Sequence, residues 1–355
     1  MRESMLRRRV DGFLVTNLVN VRYLCGFLGT SGFLFLTAGR NVFVTDFRYQ
    51  EEAARMFAGR ASLEQGIDWE VVIEKGNRPK VIKELLKAGG TGTLGIESSV
   101  SYDFFEALSK IHRRLKPLRG VVEGLRTVKD DGEIALIGRA VARAEAALLD
   151  VKPYIRKGTR EKTIALMLEE RLKKRGCNHT PFDIIVASGN NAAMPHAKTS
   201  DMKLSPGDLV VVDWGGEADG YCSDMTRTFL LGGGDPAKQR RLYGAVLAAN
   251  RKAIAAVRAG MQARAVDGVA RETIRKAGYG DYFGHGTGHG VGLEVHEMPR
   301  ISWAAKDKID ENMVFTIEPG VYIPGLGGAR IEDMVLVRSG KAEVMTTLPK
   351  DLEIV

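Results

Sequence analysis

The chain opens on short apolar runs set between glycines and polar residues: "GFLVT" at 12–16, "GFLFLT" at 32–37 and "NVFVTD" at 41–46. Aromatic and β-branched residues fill them and turn formers bracket them, which is the pattern of strands. Apolar positions then recur at helical spacing in "YQEEAARMFAG" (49–59) and "RPKVIKELLKAG" (78–89), and "TLGIE" (93–97) returns to a strand. This alternation predicts a compact α/β domain of roughly 120 residues. Near Gly124 the pattern changes. Asp130 or Asp131 stands where a cap is needed for a long amphipathic helix through "EIALIGRAVARAEAALLDV", and "REKTIALMLEERLKKRG" (160–176) is a second helix closed by glycine. From Asp183 strands dominate, broken by helices at about 237–259 and 263–277. The expected organisation is an N-terminal α/β domain over 1–124 and a mixed α+β domain over 125–355, with no internal repeat or low-complexity segment.

Composition narrows the class. The 355 residues are 44% hydrophobic and 27% charged, which is ordinary for a globular chain and excludes disordered and collagen-like classes. Cys25, Cys177 and Cys222 lie far apart with no CxxC pair, which suits a reducing compartment better than a disulfide framework or a thiolate zinc site. Asp11 interrupts the apolar run of the basic N-terminus and no convincing cleavage site follows, so a cytoplasmic protein is expected. No apolar stretch approaches the ~18 residues of a membrane helix. The net charge of +8 comes from short, scattered clusters, "LRRR" (6–9), "HRRLK" (112–116) and "KKR" (173–175), without interleaved aromatics, and nucleic acid is not expected as a partner.

The chemistry is carried by acids in strand-like segments. "GDLVVVDWGGEADGYCSDMTRTFLLGG" reads as two strands joined by the turn "EADG". Symmetry of that turn about Ala218 and Asp219 sets Asp213 directly opposite Asp224, where like charges are destabilising unless something cationic lies between them. A shared proton, or pairing with Arg227, would also relieve the contact. A second pair argues for a cation. In "MVFTIEPGVYIPGLGGARIEDMVLV", Glu318 ends an apolar strand and Glu332 lies within another. "GHGTGHGVGLEVHE" (284–297) then holds three of the six histidines, His285, His289 and His296, in a run too glycine-rich for a stable helix. Four acids and a histidine around a small volume suit two adjacent hard divalent ions, with positions left for water.

The order Asp, Asp, His, Glu, Glu resembles that of the pita-bread metallopeptidases, the family of methionine aminopeptidase, aminopeptidase P and prolidase. The matching residues are Asp213 in "VVVDWGG", Asp224 in "CSDMTRTF", His289 in "GTGHGVGLEVHE", Glu318 in "FTIEPG" and Glu332 in "ARIEDM". "NVRYLCGFLGTSG" (20–32) and "VTDFRY" (44–49) look like the small creatinase/prolidase-type domain, and "LRTVKDDGEI" (125–134) looks like its junction with the catalytic domain. Methionine aminopeptidases generally lack that domain, so the proline-specific branch is the closer likeness, over nearly the whole chain. Gly132 and Ala329 depart from the pattern, standing where an acidic and a branched residue are usual.

The resemblance implies a creatinase-like N-terminal domain followed by a pita-bread catalytic domain. It implies hydrolysis of Xaa-Pro bonds with two divalent ions, Mn(II) or Co(II), with Zn(II) as an alternative. Asp213, Asp224, His289, Glu318 and Glu332 would be the ligands. Glu318 would also pass the water proton to the leaving proline nitrogen, His296 would donate to the developing oxyanion, and His196 would help hold the substrate. His285, Tyr322 and Arg330 would line the pocket, and Arg300 would meet the substrate carboxylate. The implied enzyme is a Xaa-Pro dipeptidase, or alternatively an aminopeptidase P acting on longer peptides with proline second, and a homodimer. A metal-free creatinase-like hydrolase and a non-catalytic binding module share the fold but should have lost ligands.

Overall fold

Residues 12–15, 32–37 and 41–46 are apolar without alternation because the sheet they build is covered on both faces. The structure, a computed structural model, describes residues 1–58, 68–234 and 236–355. It divides into two units, Met1–Arg126 and Thr127–Val355.

The first unit runs α1 (Arg2–Arg7), β1 (Gly12–Val15), α2 (Leu18–Cys25), β2 (Gly32–Thr37), β3 (Asn41–Asp46), α3 (Gln50–Phe57), β4 (Trp69–Glu74), α4 (Arg78–Ala88), β5 (Leu94–Glu97), α5 (Tyr102–Ile111), β6 (Leu115–Leu118) and α6 (Val121–Arg126). Its sheet has the order β4-β3-β2-β1-β5-β6. Phe13, Val15, Leu34 and Phe43 face a layer with Val21 of α2 and Phe57 of α3. Leu14, Phe33, Phe35 and Val44 face the other layer, with Ile82 and Leu86 of α4. The helix expected over 49–59 is α3, and Gly59 lies outside the described residues. β4 and β6 have no counterpart in the sequence reading. Both are half-exposed edge strands; β6 is short and has Lys116 and Pro117 at its centre, whereas β4 carries an apolar run, Val71-Val72-Ile73, that was a usable signal.

The second unit begins with α7 (Asp131–Val151) and α8 (Glu161–Lys174). Asp130 caps α7 in a capping box with Glu133, so Gly132 leaves the cap intact. There follow β7 (Ile185–Ser188), β8 (Leu209–Trp214), β9 (Glu217–Ala218), β10 (Tyr221–Cys222), β11 (Met225–Leu230), α9 (Ala237–Ala256) and α10 (Ala263–Lys276). The chain ends with β12 (Gly288–Gly290), β13 (Glu297–Ile301), β14 (Val314–Ile317), β15 (Gly320–Ile323), β16 (Gly327–Arg330), β17 (Asp333–Arg338) and β18 (Lys341–Val344). Sheets β11-β8-β7 and β13-β12-β14-β17-β18 carry two short ribbons, β9-β10 and β15-β16. Alternation along the strands feeds two cores. Val210, Val212, Met334 and Leu336 pack with α7 and α8, while Phe315, Ile317, Val335 and Val337 pack with α9 and α10. The site lies on strands held between these two helical layers. Among the described residues no helix is long and apolar enough to cross a membrane.

Candidate metal centre

Asp219 and Gly220 both take positive φ, 53° and 94°, the backbone of a two-residue turn for which Asp-Gly is suited. The turn is therefore centred on Asp219–Gly220 rather than Ala218–Asp219. It pairs Ala218 with Tyr221 and Asp213 with Thr226, which corrects the expected direct opposition of Asp213 and Asp224. Asp224 instead stands diagonally, two residues before Thr226, and the period-two alternation of strands keeps both carboxylates on one face. The proposed partner Arg227 turns away from both. It donates to Asp333 and to the carbonyls of Thr226, Glu332, Leu348 and Pro349.

Glycine around His289 serves close packing. β12 runs between β13 and β14, and a Cβ on Gly288 would lie 1.9 Å from the Thr316 carbonyl oxygen, so the strands close only because the side chain is absent. The His289 N–H donates to Thr316 Oγ1 at 3.1 Å, and Nδ1 donates to the Gly290 carbonyl at 3.2 Å. That tautomer leaves the Nε2 lone pair 3.5 Å from Asp224 Oδ2 and 3.5 Å from Glu318 Oε1. Burial holds the His289 pKa down, so the neutral ring turns its Nε2 lone pair toward the two acids. Donor atoms of Asp224, His289 and Glu332 all lie within 4.8 Å of one another.

Glu318 follows β14 directly, as its place at the end of an apolar run predicted. Glu332 is not inside a strand: it sits between β16 and β17, in an isolated bridge to Thr226, and accepts from Thr226 Oγ1 at 2.7 Å. Burial, reinforced by the other acids, pushes Asp224 and Glu332 well above the usual carboxylate range. Burial also pushes Glu318 up to about 7. Asp213 accepts from Arg330 at 2.5 Å through Oδ2, while its Oδ1 is buried with no hydrogen-bond partner. A neutral imidazole lone pair, an orphaned carboxylate oxygen and three buried acids form an oxygen-rich donor set that hard divalent cations fit.

Arg330 ties this set to the predicted pocket residues. It also donates to Thr226 Oγ1, to the Pro195 carbonyl and, at 2.7 Å, to Tyr322 OH. His285 Nδ1 donates to the Gly286 carbonyl, so Nε2 accepts from Tyr322 OH at 3.1 Å. Burial lowers the His285 pKa to about 4 and raises that of Tyr322 to about 12, so both are neutral. The His296 ring is exposed and meets the His289 ring edge-on, with centroids 4.3 Å apart. Arg300 is exposed and pairs directly with His289 across β12 and β13, on the same face. Among the described residues no carboxylate lies within ion-pair distance of Arg300. His196 is exposed on the segment between β7 and β8, within electrostatic reach of Glu318 and His285. Buried Glu161 fastens that segment by accepting from Ser188, Asn191 and Ser200.

Sequence reasoning missed Thr226, Thr316 and the group Asp267–Arg271–Thr287. Arg271 grips Asp267 and the carbonyls of Phe283 and His285, and Thr287 donates to Asp267. Strand parity with Asp224 was a usable signal for Thr226. The contacts of Asp267 and Arg271 leave no such mark, because α10 meets residues 283–287 only through tertiary packing.

With this geometry in hand, known proteins give a consistent likeness. The model of metallopeptidase family M24 matches residues 135–339, and that of the Creatinase/Prolidase N-terminal domain matches residues 1–128. A Xaa-Pro dipeptidase of Pyrococcus furiosus is 41% identical over 81% of this chain and 84% of its own length. Among solved structures, a Xaa-Pro dipeptidase from Bacillus anthracis has a TM-score of 0.94 at 37% identity, covering 100% of this chain and 98% of that one. An X-Pro aminopeptidase from Thermotoga maritima has a TM-score of 0.87 at 36% identity, covering 99% of this chain and 100% of that one. The strand-borne acids, the buried histidine and these likenesses lead to one conclusion: the chain belongs to metallopeptidase family M24, in the arrangement that carries a creatinase/prolidase-type N-terminal domain.

Proposed function

We propose that the protein is a two-metal Xaa-Pro dipeptidase. The observation that carries this reading is the His289 Nε2 lone pair held 3.5 Å from two carboxylates, a contact that a cation relieves. Asp213, Asp224, His289, Glu318 and Glu332 would hold the two ions. Carboxylate-rich ligation with a single imidazole favours Mn(II) or Co(II) over Zn(II). When bound, the ions would supply electrophilic and water-activating chemistry near neutral pH.

The chain's own residues account for the remaining steps. Glu318, at the end of β14 beside the other ligands, would take a proton from the attacking water and return it to the proline nitrogen. His296 would donate to the oxygen of the scissile carbonyl as charge develops there. His196 would bind the substrate from the opposite segment, and the neutral pair His285–Tyr322 would form an uncharged wall. Arg300, without an acidic partner among the described residues and on the face of His289, supports recognition of a free carboxylate, and hence of a dipeptide. The reading includes a cytoplasmic homodimer, supported by the likeness to prolidases and by three buried free cysteines that suit a reducing compartment.

The test is hydrolysis of matched X-Pro and X-Pro-Y peptides by protein loaded with a defined metal. Faster cleavage of the dipeptide is expected. A preference for the tripeptide would make the protein an aminopeptidase P, and no cleavage of either with any divalent ion would refute the peptidase reading.

A further inference from the structure

Lys129 and Glu297 are buried, their side chains 1% and 5% exposed, and their ion pair closes at 3.1 Å between Nζ and Oε2. Removing two charges from water is costly, so such a pair is weak evidence for stability and better understood as fixing geometry. Three observations say which geometry. Glu297 Oε1 accepts from the Glu294 N–H at 3.0 Å, closing residues 294–297 into a loop. The Glu297 carboxylate fills the place of a side chain at Gly292, where a Cβ would lie 2.6 Å from it. The Lys129 N–H donates to the Asn312 carbonyl beside an isolated bridge from Val128 to Met313, so the lysine projects from a fixed backbone.

His296 immediately precedes Glu297 at the start of β13. Glu297 opens β13 and His296 lies in the bend just before it, so fixing the Glu297 carboxylate anchors the end of that bend and with it the His296 ring, which lies against His289. We propose that Lys129 and Glu297 are positioning residues for His296, an inference that rests on the reading of His296 as a group that meets substrate. On this account "LRTVKDDGEI" does more than connect two units: its lysine holds the segment that carries His296.

The test compares Lys129→Met/Glu297→Gln, which removes both charges of the pair together, with and without His296→Ala, in the metal-loaded full chain turning over an X-Pro dipeptide. A crystal structure of the metal-free Lys129→Met/Glu297→Gln protein accompanies it. With His296 present, kcat should fall roughly tenfold with KM within about twofold, and with His296→Ala the same pair of changes should alter kcat by less than about twofold. The crystal structure should show the His296 ring displaced from His289 with the carboxylates in place. Should the double variant not fold, Glu297→Gln alone is expected to lower kcat about threefold, again only when His296 is present. Equal losses in both backgrounds, or an unmoved His296 ring, would overturn the proposal. If His296→Ala itself keeps wild-type kcat, the reading of His296 fails, and ring displacement alone then supports or overturns the clamp.

Discussion

Glu332 and Asp333 are consecutive, both buried, and opposite in their surroundings. Asp333 meets Arg227, Lys350 and Thr346 at 2.7–2.9 Å. Burial alone would raise its pKa, but the two cations bring it below the usual carboxylate range. Glu332 faces the other way, toward Asp224, Glu318 and Asp213, and burial with those charges drives it up. Its nearest donor is a threonine hydroxyl. Burial of an acid therefore does not by itself point to a metal. What separates the two is whether the protein supplies the compensating positive charge, and around Glu332 the cation that bears on it is Arg330, shared among several acids.

The largest expected effect breaks this pair apart. Glu332→Gln should lose bound metal and at least about 1000-fold in kcat/KM while keeping its fold, since the neutral amide suits a site crowded with acids. Asp333→Asn should keep its metal but lose roughly 3–5 kcal/mol of stability, because Arg227 and Lys350 are left without their acid. Metal analysis and denaturant unfolding of both variants check the contrast, and equal metal loss from the two would remove it. Next in size, His296→Ala should keep full metal content and lower kcat roughly a hundredfold, the scale of losing an oxyanion donor; a metal-depleted variant would reassign the residue.

A smaller effect probes the rim. Arg300→Leu should cost about 1.5–3 kcal/mol in kcat/KM on an X-Pro dipeptide and spare the corresponding tripeptide. Equal losses on both peptides would make Arg300 structural. The smallest concerns the threonine that donates to Glu332. Thr226→Val removes one hydroxyl that links Arg330 to Glu332, and a several-fold loss of metal affinity is expected, the lower end for an outer partner of a ligand. Metal titration of the two proteins measures it, and unchanged affinity would show that Arg330 alone orients the site.

Legibility in the sequence followed the physics of each segment. β2 and β3 were readable to the residue because a sheet covered on both faces leaves uninterrupted apolar runs. β6 was not, since a four-residue edge strand with Lys116 and Pro117 at its centre resembles a loop, whereas β4 carries the apolar run Val71-Val72-Ile73 and was legible but not used. The acids and histidines could be picked out because charges in apolar strands violate alternation. Their register could not be read correctly without weighing the turn: Asp219 and Gly220 accept positive φ, which moves the partner of Asp213 from Asp224 to Thr226. The Arg330–Tyr322–His285 chain was visible only as separate residues, because its hydrogen bonds join segments that the sequence leaves unrelated. The same holds for Lys129 and Glu297, 168 residues apart, where neither residue type in its own neighbourhood announces a buried pair.

The most direct measurement of the central claim is anomalous diffraction at the metal edge from crystals soaked in Mn(II), compared between the wild-type protein and Glu332→Gln. The account predicts two peaks in the wild type, surrounded by Asp213, Asp224, His289, Glu318 and Glu332, and their loss or reduction to one in the variant. Peaks elsewhere, or a wild-type protein that binds no metal yet cleaves X-Pro at full rate, would contradict it.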